Sequence, residues 1–192
     1  MSKHEIKKDH LLDAGLEVMK NQGFHGTSVK DIVDAAGVPK GSFYNYFPSK
    51  EEFSIEALTK ASIEAKEHSQ KLLGNKQLTP LERLERYFSS QVNDCCADGF
   101  SVGCFMGNMC QEMADSNENI RSTLRTALAE HTSLIEQIIK EGIDTGCIDA
   151  SVDPKSTAEF LFNAWQGAMM RMKAAKCREP LDAFMAQLPR LL

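Results

Sequence analysis

Apolar positions recur at three- and four-residue intervals along the chain, a pattern that predicts an all-α protein of about nine helices. A first helix over 2–22 has Leu11, Leu12, Ala14, Gly15, Val18 and Met19 as its inward stripe, and Gly23 and Gly26 break it. Phe24 is placed to plug the head that follows. Two short helices then read out of 27–50. The first begins at Thr27 or Ser28, where Ser28-x-x-Asp31 has the form of a capping box, and turns Ile32, Val33, Ala35 and Ala36 inward. Gly37 suits the left-handed conformation that stops a helix, Val38 fills the angle, and Pro39 is tolerated in the first turn of the next helix. That second helix, 40–47, is about two turns long and carries Lys40, Ser42, Tyr44, Asn45 and Tyr46 on a polar face. Helix, tight turn and a second helix with a polar outer face make a helix-turn-helix, able to lay its second helix in the DNA major groove.

Pro48 ends that unit, and Ser49 caps a long helix to about residue 73, with Phe53, Ile55, Ala57, Leu58, Ala61 and Ile63 inward. Such a helix, joining head to body, could act as a lever. Thr79-Pro80 opens the next helix, with Leu81, Leu84, Tyr87, Phe88 and Val92 at core spacing. In GFSVGCFMGNMCQEMAD (99–115), Ser101 reads as a cap, putting Cys104 in the first turn, where backbone dipoles favour a thiolate. Cys104, Asn108 and Glu112 fall four apart on one stripe, beside an apolar stripe of Phe105, Met109 and Met113. A polar row next to adaptable methionines suits a small-molecule pocket; a buried helix with an inert cysteine is the plainer alternative. Asn117 caps a long amphipathic helix bearing Ile120, Leu124, Ala127, Leu128, Leu134, Ile135, Ile138 and Gly142, with His131 in the stripe as a core histidine or a ligand contact.

The helix over 155–176 has one apolar face of Ala158, Leu161, Phe162, Trp165, Ala168, Met169 and Met172, and a second of Phe160, Ala164 and Gly167. Glu179-Pro180 starts a last helix with Leu181, Phe184, Met185, Leu188 and Leu191. A helix apolar on two sides must bury both. The expectation is a homodimer closed by four helices across a two-fold axis, with Phe160, Ala164, Gly167, Phe184 and Leu188 at the interface.

Composition sharpens this. Residues 1–50 hold seven lysines against six acids, and residues 51–192 hold fifteen basic against twenty-one acidic groups, so a head of net +1 sits on a body of net −6. That suits a protein touching DNA with one end only, through modest, salt-sensitive binding that needs two heads. Lys3, Lys7 and Lys8 read either as a solvated helix end or as phosphate contacts. Six cysteines in 192 residues are too sparse for a disulfide scaffold. No signal peptide or membrane span is expected, which points to the cytoplasm, and no CxxC or histidine cluster suggests a metal. No cofactor is expected.

At Gly23-Phe24, Thr27, Ile32, Ala35-Ala36-Gly37-Val38, Gly41, Phe43-Tyr44-x-Tyr46-Phe47 and Ser49-Lys50-Glu51 the chain resembles the TetR family of bacterial repressors. In the body, Gly146-x-Ile148 followed by Asp153-Pro154, Ala158 and Gly167 is similar to the family's C-terminal pattern. The resemblance implies a DNA-binding domain over 1–50, a ligand-binding and dimerisation domain over 51–192, operator DNA as partner and release by a small-molecule inducer. It implies base or phosphate contacts from Lys40, Gly41, Ser42, Tyr44, Asn45 and Tyr46, and phosphate anchoring by Thr27, Ser28 and Lys50. Gly103-Cys104, Asn108 and Glu112 are similar to a narrower branch, which holds the N-ethylmaleimide reductase repressor and the acrylate-responsive repressors. That likeness implies electrophile or oxidant sensing at Cys104 with help from Lys173, or equally a small acid or ester bound without covalent reaction. Cys110 is then a resolving thiol or simply core. The sensing set expected from these readings is Cys104, Asn108, Met109, Glu112, Met113, His131, Trp165, Met169 and Lys173. The same chain could activate rather than repress. No nucleophile–base pair, phosphate loop or metal cluster supports an enzyme.

Overall fold

The computed structural model describes residues 3–192; Met1, Ser2 and the side chain of Lys3 lie outside the described residues, and with them the expected helix start at Ser2 and the phosphate role expected of Lys3. The described chain runs α1 Lys3–Gly26, α2 Val29–Ala35, a 3-10 turn Lys40–Asn45, α3 Lys50–Leu73, α4 Pro80–Ala97, α5 Phe105–Met113, α6 Glu118–Asp144, α7 Pro154–Ala175, α8 Glu179–Gln187 and a 3-10 turn Leu188–Arg190. There is no strand among the described residues. The all-helical expectation holds. The helices fall into two compact units: one holds the chain up to Ile63 with Phe105–Ala127, the other Glu64–Cys104 with Leu128–Leu192. No helix of the described residues is long and apolar enough to cross a membrane.

The first unit is built on a trio of buried rings, Phe43, Phe47 and Phe53, with centroids 5.0–5.7 Å apart. Leu11, Leu16, Met19, Phe24, Ile32 and Val33 pack with them in the interior. Gly15 is where α1 meets its neighbours: a Cβ there would stand 2.5 Å from Phe53 Cζ and 2.6 Å from Ile32 Cγ2, so only glycine permits this approach. Gly23 breaks α1 as expected, at φ 75° and ψ 177°, and the chain runs on helically to Gly26. Leu16 takes the buried place expected of Ala14 and Val18, which are half-buried. Ile63 is exposed rather than inward, because it lies five residues, or about 140° of rotation, from the buried Leu58. Ala35 also faces solvent at the end of α2, leaving Ala36 to close that contact.

The second unit packs around Trp165, which touches Phe88 and Phe184 at 5.4 and 5.1 Å between centroids. The whole expected face of α7 is buried there. Both of its well-capped helices start at caps legible in the chain: Thr79 closes a capping box with Glu82, and Asp153 accepts from the Ser156 amide. A feature absent from the hydrophobic pattern is Arg83, 1% exposed, whose guanidinium donates to the Leu73 carbonyl at 2.9 Å and pairs with Glu141 at 2.6 Å. It ties the end of α3 to α4 and α6.

Candidate nucleic-acid interface and sensing residues

The helix-turn-helix forms from local signals. Ser28 and Asp31 make both bonds of the capping box on α2. Gly37 has φ 65°, and the Val38 amide donates to the Val33 carbonyl at 3.0 Å, turning the chain sharply. The second element differs from expectation: it is a 3-10 turn of six residues, Lys40–Asn45, not a two-turn helix to 47. Between Pro39 and Pro48 the Ser42 and Tyr46 amides bond back three residues, to the Pro39 and Phe43 carbonyls at 2.8 and 3.0 Å, and the Phe47 amide bonds back four, to Phe43 at 3.0 Å. The segment's register is set by burying Phe43 and Phe47 on one side. On the other side Lys40, Gly41, Tyr44 and Asn45 are exposed, while Ser42 and Tyr46 are half-exposed. Tyr44 stands 57% exposed with its ring edge-on to Phe43, and Tyr46 lies against His4 at 4.7 Å.

The expected phosphate anchors sit differently from one another. Thr27 is buried, its hydroxyl donating to the Gly23 carbonyl at 2.7 Å. Ser28 is at the start of α2 and engaged in the capping box. The Lys50 ammonium donates to the Phe24 and Thr27 carbonyls at 2.8 and 2.9 Å and lies 4.0 Å from the Phe24 ring centroid. It therefore holds the 24–27 corner. Lys8 pairs with Glu56 at 2.6 Å.

The expected sensing set is divided between the units. Asn108, Met109, Glu112 and Met113 belong to the first; Cys104, His131, Trp165, Met169 and Lys173 belong to the second. In the first unit Met109 and Met113 are buried, and Glu112 accepts the backbone N–H of His25 at 2.8 Å. The Glu112 carboxylate thus docks onto the kink after α1. Ser101 does not cap α5: its hydroxyl donates back to Asp98 in a turn where Gly99 and Phe100 have φ of 61° and 58°, and α5 begins only at Phe105. Cys104 accordingly precedes the first helical residue instead of lying in the first turn. All six cysteines are thiols. Burial first, then Asp94 and Asp98, pushes the Cys95 thiol up to about 11, which keeps it protonated.

In the second unit His131 is 6% exposed and stacked nearly parallel on Phe162, with centroids 6.1 Å apart. Burial lowers its pKa against an upward pull from Glu130, so the ring is held neutral, and its Nε2 has no hydrogen-bond partner within the protein. Trp165 Nε1 donates to Gln91 Oε1 at 3.0 Å, while the buried Gln91 Nε2 has no partner within the protein. Tyr87, one turn earlier on α4, is buried with Ser69 and Gln91 beside its hydroxyl. Sequence reasoning took Tyr87 only as core and passed over Gln91. The available signal was that Gln91 falls on the three-and-four stripe of Leu84, Tyr87, Phe88, Val92 and Cys95. Met169 is buried, and Lys173 is half-buried in the last turn of α7.

Along α7 and α8 runs an apolar groove lined by Phe160, Ala164, Ala168, Pro180, Ala183 and Phe184. Phe160 is 56% exposed, and a Cβ on Gly167 would meet nothing within 4 Å. Leu188, expected at this face, is wholly buried in the unit's own core, because the chain's last turn folds back on α4 and α8.

A helix-turn-helix with an exposed polar second element, among described residues that form helices and no strand, defines a DNA-binding transcriptional regulator. Residues 11–57 match the family model of bacterial regulatory proteins, tetR family, and residues 80–188 match that of the tetracyclin repressor-like C-terminal domain. The chain is 35% identical over 178 residues to the HTH-type transcriptional repressor DhaR of Mycobacterium sp. (strain GP1), covering 93% of this chain and 88% of that one. It is 28% identical to the HTH-type transcriptional repressor NemR of Escherichia coli (strain K12), covering all of this chain and 98% of the other. The crystal structure of NemR in its reduced form superposes with a TM-score of 0.88 at 27% identity over 95% of both chains. A regulatory protein TetR from Rhodobacter sphaeroides superposes with a TM-score of 0.90 at 30% identity, over 95% of this chain and 97% of that one. The chain belongs to the TetR family of bacterial transcriptional regulators.

Proposed function

We propose that the protein is a homodimeric repressor that binds operator DNA and is released by a small molecule. Residues 1–50 serve as the DNA-binding domain, and 51–192 as the ligand-binding and dimerisation domain. The observation that carries this reading is the second element of the helix-turn-helix, where Lys40, Tyr44 and Asn45 are exposed while Phe43 and Phe47 anchor the turn from behind. Ser42, Tyr44 and Asn45 read bases; Lys40 and Ser28 meet phosphates. Lys50 and Thr27 contribute by holding the corner that presents α2. Pairing along the α7–α8 groove, through Phe160, Ala164 and Gly167, joins the two protomers.

For the inducer, Cys104 is the thiol we assign to electrophile or oxidant sensing, with Lys173 as its helper on α7. The sibling structure of NemR is described as a reduced form, which supports a thiol-state switch in this branch. A second reading, non-covalent binding, is favoured by the unpartnered Gln91 and His131 nitrogens. Fluorescence anisotropy on the intergenic DNA beside the protein's own gene tests both, using reduced protein at several salt concentrations with and without N-ethylmaleimide. Tight, salt-dependent binding is expected, lost with the electrophile. Release at an unchanged dose from a Cys104→Ser protein would sink covalent sensing there. Absence of specific binding would sink the operator assignment.

A further inference from the structure

We infer that Gln91, fixed by Trp165, recognises the oxygen of a small uncharged carbonyl compound bound inside the second unit; this rests on reading that unit as the ligand-binding body. The orientation of the Gln91 amide is not free. An indole N–H only donates, so the atom facing Trp165 Nε1 at 3.0 Å is the carbonyl oxygen and the NH2 group points away. Trp165 is 1% exposed and held by Phe88 and Phe184, so it does not turn aside to release the amide. The NH2 group is thus buried and oriented, and it closes no hydrogen bond within the protein although the Tyr87 hydroxyl stands beside it. A buried donor left unpaired is destabilising, and native chains keep few of them without a functional reason.

A second such group, on α6, packs against the same helix, α7. His131 Nε2 is also buried and unpartnered, and its ring stacks on Phe162, three residues before Trp165. At 1.5 Å per residue Phe162 and Trp165 are about 4.5 Å apart along the α7 axis. The Tyr87 hydroxyl, beside Ser69 and Gln91, adds a polar group next to the amide.

The charge around this polar pair selects the ligand class. Arg83 is bonded to Glu141 and the Leu73 carbonyl, and Lys66 pairs with Glu130 at 3.1 Å. Lys173 lies eight residues beyond Trp165, about 12 Å further along α7. The groups beside the Gln91 amide are therefore the Tyr87 phenol, the Ser69 hydroxyl and the Cys104 thiol, with a neutral imidazole further along α7. A carboxylate buried against them would keep an uncompensated charge, whereas a ketone, ester or amide oxygen accepts from the Gln91 NH2 with no charge to desolvate.

Trp165 is the chain's single tryptophan, so its fluorescence in the full-length protein reports on the site directly. The probes are cyclohexanone, its isostere methylenecyclohexane, which lacks the acceptor oxygen, and the anion cyclohexanecarboxylate. Cyclohexanone is expected to change the emission saturably, with the alkene about tenfold weaker, the worth of one hydrogen bond. In Gln91→Leu that difference disappears; should this variant not fold, as judged by circular dichroism, the ketone–alkene comparison on the wild type decides alone. Equal binding of ketone and alkene, no saturable response to the ketone, or a preference for the carboxylate each overturns the inference. Operator binding is measured in parallel. Release from DNA by N-ethylmaleimide with a site blind to ketones leaves the regulator reading standing and removes this inference. A ketone preference in a protein that binds no operator does the reverse.

Discussion

Gly23 shows how much one residue decides in the first unit. Its φ of 75° with ψ of 177° is a backbone state that side chains exclude, and a Cβ there would run into the Glu112 carboxylate that holds the His25 amide. Gly23→Ala is therefore expected to destabilise the protein by about 2 kcal/mol from backbone strain, seen as a lower urea midpoint at constant m. Glu112→Gln, which keeps an acceptor for His25, should move that midpoint less than Glu112→Ala. In the second unit Glu141 sits between Arg83 and Lys76, whose hydrogen bonds, Arg83 first, hold its carboxyl at about 2, well below the ordinary 4.5. A depressed folded pKa favours the folded state whenever the group is ionised. This stabilisation is thus fully present above about pH 4.5 and is lost as pH falls toward 2. Acid unfolding of Glu141→Gln, followed by circular dichroism, should show a shallower loss of stability across that window than the wild type.

At the scale of elements, what could be read from the sequence was what local chemistry determines. The capping boxes at Ser28–Asp31 and Thr79–Glu82, the stop at Gly37 and the buried face of α7 all form from residues within a turn or two of one another. The 3-10 turn Lys40–Asn45 was not legible as such, because its geometry is settled by where Phe43 and Phe47 must go to reach Phe53. Likewise Ser101 looks like a helix cap by residue type, yet two left-handed residues before it delay α5 to Phe105. Gln91 escaped for a different reason: hydrophobic periodicity treats an inward polar residue as noise, and its partner Trp165 is 74 residues away. The 3-10 turn also makes a clean test of the proposed DNA-reading face. Tyr44 is exposed and touches the core only at the edge of Phe43. Tyr44→Ala should leave thermal stability within about 0.5 kcal/mol while weakening operator binding about tenfold in fluorescence anisotropy.

For the whole molecule, the distribution of charge and of apolar surface leads to one requirement. A head of net +1 on a body of net −6 gains little from the general attraction of DNA, so a single protomer is expected to bind weakly. Joining two heads makes the second contact intramolecular, which raises affinity by about two orders of magnitude or more without any new interaction. In the proposed dimer the α7–α8 groove is the apolar face for that joining, since Phe160 stands exposed beside Ala164 and the open surface at Gly167. Phe160→Asp places a charge in the groove and removes none of the second unit's buried core. Sedimentation should then give a species of 21.3 kDa instead of twice that mass, with unchanged helix content by circular dichroism. Operator affinity should fall about a hundredfold, and the slope of log affinity against log salt should drop to about half, because half of the phosphate contacts are lost. A variant that stays dimeric would move the interface off this groove. A monomer that keeps full affinity and slope would mean that one head suffices, and the charge argument for two would fail.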